Sequence, residues 1–177
     1  VPQPSGETVL QPGDVLIVSG PIGQHGIAVL SARENLGFTP SPRSDSAPVH
    51  RATLALQVAL GSGLRAMRDA TRGGVSAVLH EWAEACGCTM QLIESQLPVT
   101  PEVRGVSELL GLEPLYIANE GTFMAIVDPN AVQHAMHVLR SIPETGFAAV
   151  IGRVIGPTIS PVVIERILGR LVAVDEP

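Results

Sequence analysis

The residues best suited to chemistry lie at positions 68–74, where RDATRGG precedes a stretch with helical periodicity. Main-chain N–H groups and the positive end of the helix dipole collect at the start of a helix, so an anion is favoured there. Gly73 and Gly74 have no Cβ that would keep a phosphate away from the main chain. Arg72 adds a planar donor that is always charged. This stretch therefore suggests an anion site.

Asp69 and Thr71 belong to the same stretch, and both are good N-cap residues. The alternative interpretation is that they only cap the helix and that the two glycines only form a turn. A metal-binding role for Asp69 is the weaker hypothesis, because one carboxylate without companions binds Mg²⁺ poorly. Taken alone, the stretch leaves anion binding and simple capping open.

A second group surrounds Glu120, which lies between Asn119 and Gly121 at the entrance to a predicted strand, where a cleft would form. By itself Glu120 is better explained as a solvated acid in a turn than as a general base. Asn119 either orients Glu120 through a hydrogen bond or satisfies the turn. His25 opens a predicted helix, where it either donates to a phosphate oxygen or has a structural role. The four remaining histidines are expected to be ordinary surface or boundary residues.

Composition limits the classes of function. The chain of 177 residues is 45% hydrophobic and has a net charge of −6, which fits one domain with a real core. It contains no lysine, so a Schiff-base or P-loop lysine is excluded within it. No basic cluster and no long apolar run occurs, so neither nucleic acid nor a membrane is an expected partner. Cys86 and Cys88 are too few for a zinc site, and we expect mostly buried thiols in a reducing cytoplasm.

The pattern along the chain predicts an α+β fold with a mixed, largely antiparallel sheet of about six strands covered by helices. Residues 1–12 are expected to be an interdomain linker that leads into a domain at 13–177, so we expect a piece of a longer protein. Hydrophobic periodicity predicts strands at 14–19, 66–67, 89–94, 122–127, 148–155, 162–167 and 170–174. It predicts helices at 23–36, 49–60 (deeply buried), 71–86, 100–111 and 128–142.

Several segments together resemble the HypE family of hydrogenase maturation proteins. They are DVLIVSG at 14–20, GQHGIA at 23–28, RDATRGG at 68–74 and LYIANEG at 115–121, with further similarity at 102–105 and 108–112. The resemblance covers residues 12–175 and is specific because the order and spacing agree. This family belongs to the superfamily that includes aminoimidazole ribonucleotide (AIR) synthetase and selenophosphate synthetase. The implied fold is the AIR-synthase-like carboxy-terminal domain.

The resemblance also implies which parts lie outside this chain. Family members have an amino-terminal ATP-binding domain that supplies most metal-binding acids and the dimer surface, and they end in a tail with a terminal cysteine. Neither part has a counterpart here, and Cys86 and Cys88 are in the wrong place to replace the tail cysteine. We therefore expect no metal site within this chain and no activity from the chain alone.

The implied function is the ATP-dependent dehydration of an S-carbamoyl cysteine to a thiocyanate, which provides cyanide for nickel–iron hydrogenase. The implied partners are a HypF-like carbamoyltransferase, an iron-carrying HypC–HypD-like complex and a second copy in a homodimer, with ATP and Mg²⁺ as cofactors. The implied catalytic residues are Glu120 and Asn119. The residues implied to face the nucleotide phosphates, or the tail that enters from the other domain, are Asp69, Thr71, Arg72, Gly73 and Gly74, and His25 is a further candidate for the phosphates. The alternatives are a non-catalytic fragment that docks partners, or a domain of another superfamily enzyme such as selenophosphate synthetase.

Overall fold

The sheet is the framework that positions the candidate residues. The structure is a computed structural model that describes residues 10–177. Its seven strands lie in the order β2-β4-β1-β5-β3-β6-β7, and only β3 and β6 are paired in parallel. The strands are β1 (Val15–Val18), β2 (Leu64–Asp69), β3 (Thr89–Ile93), β4 (Phe123–Val127), β5 (Ala149–Ile155), β6 (Val162–Glu165) and β7 (Leu171–Ala173). The predicted α+β class and largely antiparallel sheet are confirmed.

The strand count differs from the prediction of about six because β2 is a full strand. The sequence pattern indicated only two residues there, but Leu64–Asp69 pairs antiparallel with β4 over its length. The longer strand aligns Asp69 with Phe123. The segment that follows β2 is thereby brought beside the segment that precedes β4.

Within residues 10–177, five α-helices accompany the sheet, all close to predicted positions. They are α1 (Gln24–Arg33), α2 (His50–Leu60), α3 (Gly74–Cys86), α4 (Pro101–Leu110) and α5 (Val132–Arg140). None of the helices within residues 10–177 is long and apolar enough to cross a membrane. The predicted linker at 1–12 lies largely outside the described residues, and Leu10 already packs in the core.

Alternating strand residues divide the core into two main clusters. On β1, Leu16 and Val18 join the cluster that contains the apolar face of α3, whereas Ile17 joins the cluster that contains α2 and α5. Side chains of consecutive strand residues point to opposite faces, so helices cover the sheet on both sides. Trp82 is 3% exposed and belongs to the α3 cluster, as predicted.

The prediction that α2 is deeply buried is wrong. Only Ala52 and Leu56 of this helix are buried, while Leu54 is 58% exposed and Val58 is 86% exposed. The helix has apolar residues on almost every side, but it packs against the sheet and α5 through one face. The apolar composition of α2 indicated that the whole helix is buried, but only the face that contacts the sheet and α5 is buried.

A third, smaller cluster joins α1 to α4 beside the sheet. It contains Ile27 from α1 and Val103 and Val106 from α4, with Phe38 and Ile117 packed against it. Thr100 caps α4 by accepting a hydrogen bond from the main-chain N–H of Val103 at 3.3 Å. This cluster holds the start of α1 next to the segment that leads to Glu120.

Candidate functional site

Three connecting segments meet at one end of the sheet, because β1 and β2 both run antiparallel to β4. They are residues 19–23 after β1, residues 70–73 after β2 and residues 117–122 before β4. Main-chain hydrogen bonds tie them together: the N–H of Ala70 donates to Thr122, and that of Ser19 donates to Phe123. The two groups singled out in the sequence are therefore neighbours in space.

Asn119 is the residue that joins these segments. It is fully buried, and its Oδ1 accepts from the N–H of Gly23 at 2.8 Å. Its Nδ2 donates to the carbonyl of Ala70 at 2.8 Å and to that of Ile117 at 3.1 Å. These bonds occupy its side-chain amide, so of the two predicted roles Asn119 satisfies the turn and does not orient Glu120 through its side chain. Asn119 thus positions the three segments, and its predicted catalytic role stays a prediction.

Glu120 stands at the surface of this junction. It is exposed, and its side chain forms no hydrogen bond or ion pair with any other described residue. Its main chain is held firmly, because its N–H lies 3.2 Å from both carboxylate oxygens of Asp45 and the N–H of Gly121 lies 2.9 Å from one of them. An exposed carboxylate on a fixed main chain can accept a proton from a ligand that reaches this edge.

The first turn of α3 differs from the prediction at its cap. The N-cap is Gly73, with φ 73°, and no side chain caps the helix. Asp69 remains in β2, and Thr71 contributes only its carbonyl, which accepts from the N–H of Gly74 at 3.0 Å. The predicted N-cap roles of Asp69 and Thr71 are therefore wrong, because two successive glycines with positive φ delay the start of the helix.

Close packing also explains why these two positions are glycine. A Cβ on Gly74 would lie 2.5 Å from the carbonyl oxygen of Leu115 and 2.7 Å from that of Ile117. A Cβ on Gly73 would lie 2.7 Å from the Cβ of Ala77 and 3.2 Å from Pro177. The space that was expected to admit a phosphate is thus filled by protein atoms, and a phosphate role for this turn stays a prediction that depends on its other groups.

Those other groups are exposed and uncommitted. Arg72 is exposed and forms no ion pair with another described residue, whereas Arg68 pairs with Glu81. Asp69 is also exposed at the end of β2. A free guanidinium beside an uncapped helix start fits the charge of a phosphate. Among residues 10–177 no three His, Cys, Asp or Glu side chains lie close enough to hold a metal ion.

His25 is half-buried at the second position of α1, close to this junction. Its Nδ1 lies 3.0 Å from the Oγ of Ser44, and that hydroxyl lies 2.9 Å from the Oγ of Ser46. His25 therefore contacts the segment at 44–46, which also carries Asp45. Its predicted contact with a phosphate remains a prediction.

The last residues of the chain follow α3 back towards its start. The Nε2 of His80 donates to the carbonyl of Val174 at 3.1 Å, and the Oγ of Ser76 donates to that of Asp175 at 3.2 Å. His80 is 4% exposed, so the prediction that it is a surface or boundary residue is wrong. Burial, reinforced by the negative charge of Asp175, raises the pKa of the Tyr116 phenol. This path brings Pro177 into contact with Gly73 at the start of α3.

The two cysteines lie away from this junction, at the end of α3. Neither Cys86 nor Cys88 forms a disulfide, and both are half-buried. Burial raises the pKa of the Cys88 thiol to about 11, and the nearby Cys86 adds to the shift. Both thiols are therefore protonated at neutral pH.

A cavity of about 290 Å³ opens beside Glu120. It is lined by Gly20, Pro21, Gln24, Asp45, Thr100, Gly121, Thr122, Glu144 and Phe147. Within the described part of the chain, no residue of the turn at 71–74 lines this cavity. Glu120 and the turn lie on segments that meet at one end of the sheet, and neither of them lines this cavity.

Comparison with known proteins agrees with the motifs and with the fold. The profile of the AIR synthase related protein, C-terminal domain, matches residues 11–164. The chain belongs to this family. It is 47% identical over 150 residues to the carbamoyl dehydratase HypE of Escherichia coli K12, and this match covers 85% of the chain and 44% of that protein. The chain therefore spans about half the length of this relative.

Solved structures of the same family have the same fold. A HypE–HypF complex superposes with a TM-score of 0.91 at 36% identity and covers 96% of this chain and 55% of the matched one. A HypE in complex with ATP superposes with a TM-score of 0.88 at 36% identity, and the match covers 98% of this chain and 54% of the HypE chain. The seven-stranded AIR-synthase-related domain is therefore the architecture of this chain.

Sequence reasoning did not find Asp45, whose carboxylate accepts both N–H groups at the Glu120 turn. The segment at 37–48 is rich in serine and proline, a composition that predicts only a loop. Its one available signal was a single acid between two serines, at Ser44 and Ser46. Asp45 lies 75 residues from Glu120 in sequence. No local pattern relates two residues that far apart.

Proposed function

We propose that this chain forms part of an ATP-dependent carbamoyl dehydratase that serves hydrogenase maturation. The observation that carries the proposal is the placement of exposed Glu120 and exposed Arg72, which pairs with no acid of residues 10–177, on segments that Asn119 binds together. The similarity to proteins named carbamoyl dehydratase HypE, and to a HypE that binds ATP, supports the same reaction.

The chemistry assigns Glu120 a specific task. Conversion of an S-carbamoyl group, S–C(=O)–NH₂, into a thiocyanate, S–C≡N, removes the oxygen and both protons from nitrogen. Glu120 accepts one of these protons, since its carboxylate is exposed and forms no ion pair with a described residue, and the second proton passes to solvent as the oxygen leaves as part of a phosphate. ATP supplies the phosphoryl group that turns the oxygen into a leaving group. The main-chain N–H groups of Glu120 and Gly121 donate to the Asp45 carboxylate, and these hydrogen bonds hold the turn that carries Glu120 in place.

The turn at 71–74 contributes charge. Arg72 is the described group there that can bind a phosphate through two parallel hydrogen bonds, and the uncapped start of α3 adds a positive potential. Thr71 and His25 are further donors near the same junction, and Asp69 is the acid that stands beside it. Glycines 73 and 74 serve the site by allowing the tight turn that brings Arg72 to this edge.

The remaining participants lie outside this chain. We propose that the Mg²⁺ that accompanies ATP is bound mainly by an amino-terminal domain, because the described residues offer no cluster of three ligands. We also propose a HypF-like carbamoyltransferase and a HypC–HypD-like complex as partners, and a homodimer as the assembly. The similarity to a HypE–HypF complex supports the first of these partners. The chain alone should then hydrolyse no ATP.

The test uses the whole gene product that contains this chain. Glu120→Gln keeps the size of the side chain and removes the base, so we expect thiocyanate formation to fall about 10²- to 10⁴-fold. Mass spectrometry of the modified cysteine measures the product as the loss of one water. Arg72→Ala should weaken ATP binding about tenfold or more, as measured by calorimetry.

Glu34→Gln is the matched control, because Glu34 is exposed at the end of α1 and outside the junction. Full activity of Glu120→Gln would remove Glu120 from the mechanism. Unchanged ATP affinity of Arg72→Ala would leave Arg72 without a role in nucleotide binding.

A further inference from the structure

We propose that Asp45 is a positioning residue for Glu120, an inference that rests on the proposed function of Glu120 as the base. The segment at 44–46, called here the Asp45 strap, lies across the turn that carries Glu120. Through the strap, the main chain on either side of the Glu120 Cα is held in one conformation. The direction in which the Cα–Cβ bond of Glu120 leaves the surface is thereby fixed.

The first support is the hydrogen bonding of the Asp45 carboxylate. It accepts from two successive main-chain N–H groups, that of Glu120 at 3.2 Å and that of Gly121 at 2.9 Å. Bonds to a charged acceptor are stronger than neutral ones, and two adjacent bonds restrain the peptide plane between their donors. No described cation pairs with Asp45, so these N–H groups are the partners that satisfy its charge.

The second support is the packing of the strap main chain on Gly121. A Cβ at position 121 would lie 1.8 Å from the carbonyl oxygen of Asp45 and 2.8 Å from the main-chain nitrogen of Ala47. Only glycine leaves room for this approach. The turn is therefore held by the Asp45 side chain and covered by the Asp45 main chain.

The third support is the anchoring of the strap itself. The Oγ of Ser44 accepts from the N–H of Ser46 at 3.0 Å and lies 3.0 Å from the Nδ1 of His25. The strap therefore links the start of α1 to the Glu120 turn. Asp45 and Gly121 both line the 290 Å³ cavity beside that turn, so the strap also shapes the space next to the carboxylate.

The expected consequence is a loss of turnover and not of nucleotide binding. A base that is displaced by about 1 Å can lose about a hundredfold in rate. The strap makes no contact with Arg72 or with the turn at 71–74 among the described hydrogen bonds and ion pairs. Loss of Asp45 should therefore lower kcat for dehydration and leave the KM for ATP nearly unchanged.

The experiment compares Asp45→Ala and Asp45→Asn in the whole gene product that contains this chain. We expect kcat to fall about ten- to hundredfold for Asp45→Ala and less for Asp45→Asn, which keeps one acceptor oxygen, with the KM for ATP within about threefold. Hydrogen exchange read by NMR should accelerate at the amides of Glu120 and Gly121. Arg43→Ala, which changes an exposed residue of the same loop, should alter neither kcat nor the exchange rates of the Glu120 and Gly121 amides.

Two results would overturn the proposal. One is unchanged exchange at the Glu120 and Gly121 amides in Asp45→Ala, since the carboxylate would then not hold the turn. The other is normal kcat in Asp45→Ala despite faster exchange. If the unaltered protein forms no thiocyanate but Asp45→Ala still accelerates the exchange, the proposed function fails and only the structural link between Asp45 and the turn survives.

Discussion

Replacement of Gly74 by alanine tests whether this glycine is required by the fold or reserved for a ligand. Two energetic terms act against Gly74→Ala. The residue has φ +62°, a left-handed conformation that costs an alanine about 1–2 kcal/mol. Its new Cβ would also lie 2.5 Å from the carbonyl oxygen of Leu115 and 2.7 Å from that of Ile117. Both contacts are with main-chain atoms, which do not rotate away.

Gly87→Ala is the matched control, because it has the cost of the left-handed conformation without the steric clash. Gly87 has φ +61°, and a Cβ there would meet nothing within 4 Å. We expect Gly87→Ala to lower the free energy of unfolding by about 1 kcal/mol. Overpacking adds about 1–3 kcal/mol, so Gly74→Ala should lower it by about 2–5 kcal/mol.

Urea unfolding of the purified chain measures both variants. The midpoint concentration should fall further for Gly74→Ala than for Gly87→Ala, with similar slopes. Equal losses in the two variants would refute the close approach to the segment at 115–117. The glycine would then need another explanation, and the space for a ligand would be the first to consider.

Two further predictions concern buried groups. Asn119→Asp keeps the acceptor for Gly23 but places a carboxylate oxygen against the carbonyls of Ala70 and Ile117. Thermal unfolding at pH 7 should therefore show that the free energy of unfolding falls by more than about 3 kcal/mol, and the loss should shrink in acid, where the protonated carboxyl becomes a donor. A free energy of unfolding equal to that of the parent would contradict the assigned bonds. Burial raises the pKa of the Cys88 thiol to about 11, so at pH values between about 9 and 11 the thiol stays protonated in the folded chain while it ionises in the unfolded chain. Its contribution to stability is therefore full below about pH 9 and is lost as the pH rises towards 11. Iodoacetamide at pH 9 should accordingly modify Cys88 much more slowly in the folded chain than in urea, and equal rates would argue against this burial.

Local pattern was sufficient for much of the fold. Strand β4, predicted at 122–127, is observed at Phe123–Val127, and α4, predicted from its Thr100 cap and its proline, runs over Pro101–Leu110. These elements are specified by periodicity and end signals that lie within a few residues. Pattern failed where an element depends on what it packs against. The two-residue strand predicted at 66–67 is extended to Leu64–Asp69 by its pairing with β4.

The candidate site divides in the same way. The residue types at Glu120 and Arg72, and the motifs around them, are legible in the sequence because an acid next to a glycine and an arginine before a glycine pair are local facts. The role of Asn119 was open in the sequence, since its partners lie as far as 96 residues away. Its three side-chain bonds to the main chain show that Asn119 satisfies the turn, and its part in catalysis stays a prediction.

The sequence by itself therefore determined the order of the elements, the family and the residues able to do chemistry, because each depends on near neighbours along the chain. Only the tertiary structure decided that Asp45 supports the Glu120 turn, that Gly74 is packed against main-chain carbonyls, and that His80 is buried beside the end of the chain. These contacts join segments that lie between 41 (Gly74 to Leu115) and 94 (His80 to Val174) residues apart in the sequence. Local sequence patterns cannot predict these contacts, because the residues become neighbours only when the sheet forms.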